Sequence, residues 1–312
     1  MKSRKRYLIS VVMATVVLLA VSITVFTAPV KVVHVMADHG EPFLDFLKDR
    51  KAAFEAQYPE AEIEIFAQQS DYTTKAQLMI ASGTQVDVLD STHSFMAFSF
   101  RDALADLMPY VKATGINLDR EMLAFAKPVL TKGGQLLGIP SQIYAVVPSY
   151  NRTYFDEMGV TPLTRLGEEW TWDWLLRNGP RLTKDTSGDG VPDTWAVGFP
   201  NGFITLSPAI NQAGGSMFDS YIHPRRVLMN TEPVRQGLAF YLSLKQGGFG
   251  AVGNTAAHYT QRYSAINMHS AAPDASYLPR TTDEFEVVVH PKGPVRRGGQ
   301  TFFGPFHVPA AS

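Results

Sequence analysis

The chain has 312 residues, 45% of them hydrophobic and 18% charged, a folded composition with room for two cores. Its 28 Lys and Arg against 29 Asp and Glu leave a net charge of -1, which gives no electrostatic basis for nucleic acid or an anionic membrane surface as partner. Cysteine is absent, which excludes disulfides, thiolate metal sites, Cys nucleophiles and a lipid-attachment Cys together.

Lys2, Arg4, Lys5 and Arg6 precede an uncharged stretch from Tyr7 to Phe26, the basic-then-apolar pattern of an export segment. Ala20-Val21-Ser22 offers small residues at both key positions of a cleavage site, whereas a cut after Ala28 meets Phe26 three residues back and Pro29 next. Residues 1–28 therefore read as a signal peptide or, if uncut, as an N-terminal anchor of about twenty apolar residues. Both readings place the bulk of the chain in the periplasm or another extracytoplasmic space, with the basic end inside.

Val30 to Ala37 predicts a buried strand, broken by Asp38-His39-Gly40. Phe43, Leu44, Leu47 and Phe54 recur at helical spacing, with Pro59 as the stop, and Ala61 to Ala67 alternates with Ile63, Ile65 and Ala67 on one face. Asp71 to Ser82 predicts a second helix and Val86 to Leu89 a short strand ending in Asp90-Ser91-Thr92-His93. Strand, helix, strand argues for an α/β layer with parallel pairing, whose ligand loops follow the strand ends. Gly138-Ile139-Pro140 then leads into the apolar Ile143 to Val147, and Tyr150-Asn151 opens a helix through Tyr154, Phe155 and Met158. A first crossing between lobes falls near Ser141, and the absence of a Pro/Gly/Ser linker or fixed repeat makes the lobes intertwined.

Catalytic signatures are missing. Gly214-Gly215-Ser216-Met217-Phe218 fails the nucleophile-elbow pattern at its last position, no His-Glu-x-x-His occurs, and the eight His are scattered. Glu168 and Glu169 are adjacent, so on a helix they point apart and would not flank a glycosidic bond. Phosphate-cradling glycine spacings are absent as well.

Asp185, Ser187, Asp189, Gly190, Val191 and Asp193 match the first nine positions of an EF-hand-type calcium loop, Val191 offering its backbone carbonyl. Position twelve is Ala196 and not Glu, so the shell is partial; a structural calcium ion and an Asp/Gly-rich turn both fit, and no cofactor is otherwise required. Tyr72, Tyr144, Phe203, Phe302 and Phe303 sit in loops or at helix edges, outside core periodicity. Pyranose rings pack their C–H faces on aromatic rings and take hydrogen bonds from fixed polar groups. Beside those aromatics stand His39, Glu41, Gln69, Asp71, His93, Gln142 and Asn211, each open to a ligand-binding or a structural role.

Mid-chain, Gly138-Ile139-Pro140 is followed by Tyr150-Asn151-Arg152-Thr153-Tyr154-Phe155-Asp156-Glu157-Met158-Gly159-Val160, then by Trp170-Thr171-Trp172-Asp173-Trp174, with Thr171 a candidate N-cap. Leu182-Thr183, the Asp185 to Asp193 loop, Gly198 and Gln212-Ala213-Gly214-Gly215 come next. Upstream stand Tyr72, Lys75, Ala81-Ser82-Gly83 and Asp87-Val88, with Val86 in place of a usual Pro. In this order, the segments resemble the family 1 extracellular solute-binding proteins, the group that includes maltodextrin-binding protein, over roughly residues 30 to 312.

The resemblance implies an α/β, two-lobe periplasmic-binding-protein fold of type II, each lobe a β-sheet flanked by helices, with hinge strands near Ser141 and Val289. Lobe 1 would take residues 29–141 and 291–312, and lobe 2 residues 142–290. It further implies a monomer that is not an enzyme, that captures a sugar or oligosaccharide between its lobes and that delivers it to the permease subunits of an ABC transporter. An exported carbohydrate-active enzyme and a carrier of a non-sugar solute are the alternatives. Two departures stand out: Tyr263 to Ala272 has no Trp where the family places an aromatic ligand contact, and the family continues beyond the point matching Ser312, so a truncated first lobe is expected.

Overall fold

The computed structural model describes residues 29–37, 41–68, 71–90, 103–122, 124, 126–199, 203–220, 224–253, 255–270 and 277–307. They fall into two compact units: unit 1 takes the described residues through 90 with 103–105 and 307, and unit 2 those from 106 to 306. The export segment lies outside the described residues, among which no helix is long and apolar enough to cross a membrane.

Unit 1 is built from β1 (Val30–Ala37), α1 (Glu41–Gln57), β2 (Ala61–Gln68), α2 (Tyr72–Ala81) and β3 (Val88–Asp90). The strands run parallel in the order β2-β1-β3, with Val33 opposite Glu64 and His34 opposite Val88. This is the expected strand–helix–strand layer, and each helix carries the chain back to the start of a neighbouring strand. Val33, Val35, Met36, Leu47, Ala76 and Leu89 form its interior. A charged lashing holds α1 on β2: the Lys51 ammonium donates to Glu55 and to the carbonyl of Ile63, and the Ile63 amide donates to the same Glu55 oxygen, all within 2.7 Å. Gly83, at φ +70, ends α2 in the left-handed region that a side chain disfavours.

Unit 2 begins with α3 (Met108–Thr114) and the hairpin of β4 (Thr131–Lys132) and β5 (Gln135–Leu136). Gly133 and Gly134 both take positive φ there, as a two-residue hairpin turn requires. Then come β6 (Ile139–Asn151), α4 (Arg152–Glu157), α5 (Trp172–Leu182), β7 (Trp195–Phe199), α6 (Phe203–Gln212), α7 (Glu232–Gln246), β8 (Gly250–Val252), α8 (Thr255–Gln261), β9 (Ser264–Ser270), β10 (Phe285–Val287) and β11 (Gln300–His307). The sheet of this unit runs β11-β6-β9-β7-β8, with β10 also paired to β6. β7 is parallel to both β8 and β9, whereas β6 is antiparallel to β9, β10 and β11.

β6 reaches well beyond the Ile143 to Val147 stretch and passes Ser141 without a break. Its two prolines sit where the ladder shifts: Pro148 lies between Val147 and Ser149 at the irregularity against β9, and Pro140 faces Pro305 just past the shift in β11. Proline cannot donate to a ladder, so an irregular position is where a long strand tolerates it. Residues 106–141 group with unit 2, and within that segment the Leu107 amide donates to Leu136 and the Leu136 amide to Asp106. Residues 291–306 join unit 2 as well, through contacts with Gln212 described below.

The main core of unit 2 gathers Tyr150, Phe155, Trp170, Trp174, Leu175, Val197, Phe199 and Ile266. Trp172 lies flat on Phe240 at 4.0 Å and 1°, fixing α5 to α7. α6 and α7 touch at Gly237, where a Cβ would stand 2.7 Å from the Ile210 backbone. Thr171 caps α5 by accepting the Trp174 amide, and Asn151 caps α4 by accepting that of Tyr154.

Candidate functional site

In unit 2 the parallel strands β7, β8 and β9 end at Phe199, Val252 and Ser270, and α6 and α8 start just beyond the first two. Open α/β sheets bind ligands at the carboxyl ends of their strands, where helix N-termini also point. The ends of β7 and β8 pack closely here. The Gly253 amide donates to Phe199 at 2.7 Å, and a Cβ on Gly253 would lie 3.0 Å from the Phe199 nitrogen. Only glycine lets the two strand ends lie this close.

Between α8, β6 and the start of β9 is a buried polar cluster. His258 Nδ1 sits 2.7 Å from the Ser264 carbonyl, and its Nε2 sits 3.3 Å from Ser149 Oγ, which accepts the Tyr259 phenol at 3.1 Å. A carbonyl cannot donate, so Nδ1 carries a proton, and in the neutral imidazole that burial favours Nε2 accepts from Ser149. Burial pushes this histidine down to about 4, against the weaker opposite pull of the Ser264 carbonyl.

In unit 1 the corresponding end is marked by Asp90, the last residue of β3 and fully buried. His34 is opposite Val88, so Asp90, two residues on, shares its side of the sheet. Burial lowers the His34 imidazole while the Asp90 charge pulls it up. Tyr72 is also buried, its phenol donating to the Val35 carbonyl at 3.4 Å, and desolvation followed by the Asp90 charge raises it.

The expected ligand contacts are distributed as follows. His39, Gln69 and His93 lie outside the described residues. Glu41 opens α1 and Phe203 opens α6; Gln142 and Tyr144 lie on β6 opposite Gly304 and Phe302, and Phe303 is opposite Ile143, so strand pairing does not set Phe303 beside Tyr144. Asp71 is exposed at the N-cap of α2, at φ +49 and with no side-chain cap bond. Tyr72 packs into the interior of unit 1. Asn211 is half-buried, and its carbonyl accepts from Gly214 and from Arg296. The residues that sequence reasoning passed over are Asp90, His258 and the side chain of Gln212. An acid on the last residue of an apolar strand was the available signal for Asp90.

The Asp185 loop folds on itself. Asp185 accepts the amides of Gly188 and Gly190 at 2.6 and 2.8 Å, and Asp193 accepts the Thr186 hydroxyl with the amides of Thr186 and Ser187. These bonds hold both carboxyls below the usual carboxylate range, with the Gly190 amide the leading cause for Asp185 and the Thr186 hydroxyl for Asp193. Gly190 takes φ +87, the sharp turn asked of position six. Among the described residues no three His, Asp or Glu gather as a metal group.

Away from the strand ends, unit 2 has a surface cleft of about 350 Å³ lined by Glu168, Trp172 and Lys292, and another of about 690 Å³ beside Arg262, Arg280 and Asp283.

The model of the bacterial extracellular solute-binding protein family matches residues 35–288. Among solved structures, the chain is similar to the ABC substrate-binding protein Lmo0181 from Listeria monocytogenes in complex with cycloalternan, with a TM-score of 0.75 and 19% identity over 91% of this chain and 72% of that one. It is similar to UgpB from Mycobacterium tuberculosis in complex with glycerophosphocholine, with a TM-score of 0.73 and 18% identity over 92% and 71%. The maltose/maltodextrin-binding domain MalE from Bdellovibrio bacteriovorus bound to maltotriose matches with a TM-score of 0.68 and 15% identity over 91% and 72%. At these identities the likeness shows the fold, the two-lobe type II architecture that the resemblance implies. No curated protein sequence matches the chain.

Proposed function

The chain belongs to the bacterial extracellular solute-binding protein family, and on that premise we propose that it captures a carbohydrate outside the cytoplasm and delivers it unchanged to the permease of an ABC transporter. The family match over residues 35–288 carries the reading. The ligands of similar structures support it, since cycloalternan, D-mannitol, alpha-D-tagatose, maltose and maltotriose are all sugars or polyols. We place such a ligand at the carboxyl ends of β7 and β8, where α6 and α8 start.

A binding role without turnover also suits the acids. Glu168 is tied to Lys292 at 2.8 Å and to Arg297, and the Lys292 bond leads in holding its carboxyl below the usual range. A glycosidase acid needs the opposite shift. We further assign residues 1–28 as the export signal or anchor that brings the chain to its site of action.

Calorimetric titration of the full chain with maltose, maltotriose, mannitol, tagatose and cyclic oligosaccharides is expected to give saturable heat with one or more, each recovered chemically unchanged. Heat from glycerophosphocholine with silence from every sugar overturns the carbohydrate assignment and favours a non-sugar solute, as in the UgpB neighbour.

Calcium at the Asp185 loop is a separate proposal, with Asp185, Ser187, Asp189, Asp193 and the Val191 carbonyl as its ligands. The left-handed Gly190 favours it, and the amides already bonded to Asp185 and Asp193 make it weak. Millimolar calcium is expected to raise the melting temperature by about 2–4 °C, as a ligand of the folded state does. An unchanged melting temperature leaves the loop as a turn.

A further inference from the structure

Two glycine-bearing turns of unit 2 interlock at Gln212. One is Gln212-Ala213-Gly214-Gly215, where α6 ends; the other is the 292–299 segment that runs into β11. Gln212 is buried. Its side-chain carbonyl accepts the Trp172 indole N–H, and its amide donates to the Gly298 carbonyl at 2.8 Å. Its backbone carbonyl accepts the amides of Val295 at 3.1 Å and Arg296 at 3.2 Å. The contact is too close for side chains on the second turn: a Cβ at Gly293 would lie 2.6 Å from Gln212 Cβ, and one at Gly298 3.0 Å from Asn211 Cβ. The guanidinium of Arg296 adds a bond to the Asn211 carbonyl, and that of Arg297 donates to the carbonyls of Trp170, His290 and Gly167.

The two segments so joined lead to different places. α6 runs from Gln212 back to Phe203, four residues after the end of β7 at Phe199. The 292–299 segment leads along β11 to His307, where the chain passes into unit 1. Sliding one past the other would break the whole set of bonds and leave the Trp172 indole and the Gly298 carbonyl without Gln212 inside a packed core.

We infer that Gln212 is a positioning residue that makes α6 and β11 one mechanical piece, so that a ligand seated at the start of α6 acts on the strand by which the chain leaves unit 2. This rests on the ligand-binding reading above, and it gives the Gln-x-Gly-Gly turn a role that its sequence does not reveal.

Hydrogen exchange on the full chain tests it, with Gln212→Leu and the milder Gln212→Glu, which keeps the acceptor for Trp172 and loses the donor to Gly298. Both variants are expected to lose protection by a common factor of about tenfold, the scale of one buried hydrogen bond, at Leu206, Ser207 and Ala209 of α6 and at Thr301 to Gly304 of β11. In the wild type, the tightest-binding sugar of the calorimetric panel is expected to raise protection at Val295 and Arg296, and this response disappears in Gln212→Glu. A merely structural glutamine predicts loss confined to residues 293–298, with α6 and β11 unchanged, and that result overturns the inference. If no sugar binds the wild type, the carbohydrate assignment fails, while the ligand-free exchange still decides the coupling.

Discussion

Replacing Arg262 with methionine is expected to destabilise unit 2 by about 3 kcal/mol, because it strands a carboxylate that the fold has buried. Arg262 holds Asp283 in a two-pronged grip, Nε and Nη2 each 2.6 Å from a carboxylate oxygen, and meets Glu157 with its outer nitrogens at 2.8 and 3.1 Å. The two acids differ in worth. Glu157 is half exposed and adds little. The Asp283 side chain is only 8% exposed and has one other side-chain partner described, the Asn151 amide at 2.6 Å. Arg262 is the leading cause that holds the Asp283 carboxyl below its usual range.

The sign follows from that direction. A depressed carboxylate contributes stability above its unfolded value near 3.8 and loses it as the pH falls through the lower folded value. The penalty of Arg262→Met is therefore full at pH 7 and shrinks below about pH 4. Arg262 also sits at φ +53, in the left-handed region, so Arg262→Gly is expected to cost about 1 kcal/mol less than Arg262→Met by removing that strain. The double variant Arg262→Met with Asp283→Asn recovers part of the loss. Urea unfolding at pH 7 and at about pH 2.5, below the unfolded carboxylate value, checks all of these, and equal penalties at the two pH values would sink the charge argument.

What could be read from the sequence was what local pattern decides. The strand from Val30 to Ala37, the helix between Asp71 and Ser82, and the Thr171 cap all came out in place, since alternation, helical spacing and a capping hydroxyl are properties of neighbouring residues. β6 was legible only in its middle. Pro140, Gln142, Pro148 and Asn151 break an apolar alternation, and the strand runs through them because β9, β10 and β11 all pair with it from distant parts of the chain.

The site was less legible for the same reason. Tyr72 carries an aromatic ring at the right end of a helix, yet whether it faces a ligand or the Val35 carbonyl is decided by how α2 lies on β1. Gln212 stands in a recognisable motif, but the Gly298 carbonyl it binds is 86 residues away. Asp90 gave the clearest missed hint, an acid closing the apolar Val88-Leu89 pair.

Acid is expected to weaken unit 2 before its carboxylates begin to protonate, and His258 is the reason. Its folded value of about 4 lies well below the ordinary 6.5 of a histidine, chiefly because it is buried. Between those two pH values the unfolded chain binds a proton that the folded chain refuses, so stability rises with pH across the window. The contribution is whole above pH 6.5 and is lost as the pH falls toward 4, about 3 kcal/mol in all at 1.4 kcal/mol per decade. The geometry explains the refusal. A proton on Nε2 would face the Ser149 hydroxyl, which donates to that nitrogen in the neutral ring while accepting from Tyr259. Reversing that chain inside the contact with Phe285 would leave a cation with no described carboxylate bonded to it. His34 in unit 1 is shifted the same way, so the wild-type curve alone does not isolate His258. The comparison with His258→Gln does: glutamine can donate to Ser264 and accept from Ser149 without titrating, and its stability curve is expected to be flatter than the wild type between pH 6.5 and 4 by about 3 kcal/mol. Parallel curves for the two proteins, measured by urea unfolding across that range, would show that the imidazole is not held neutral.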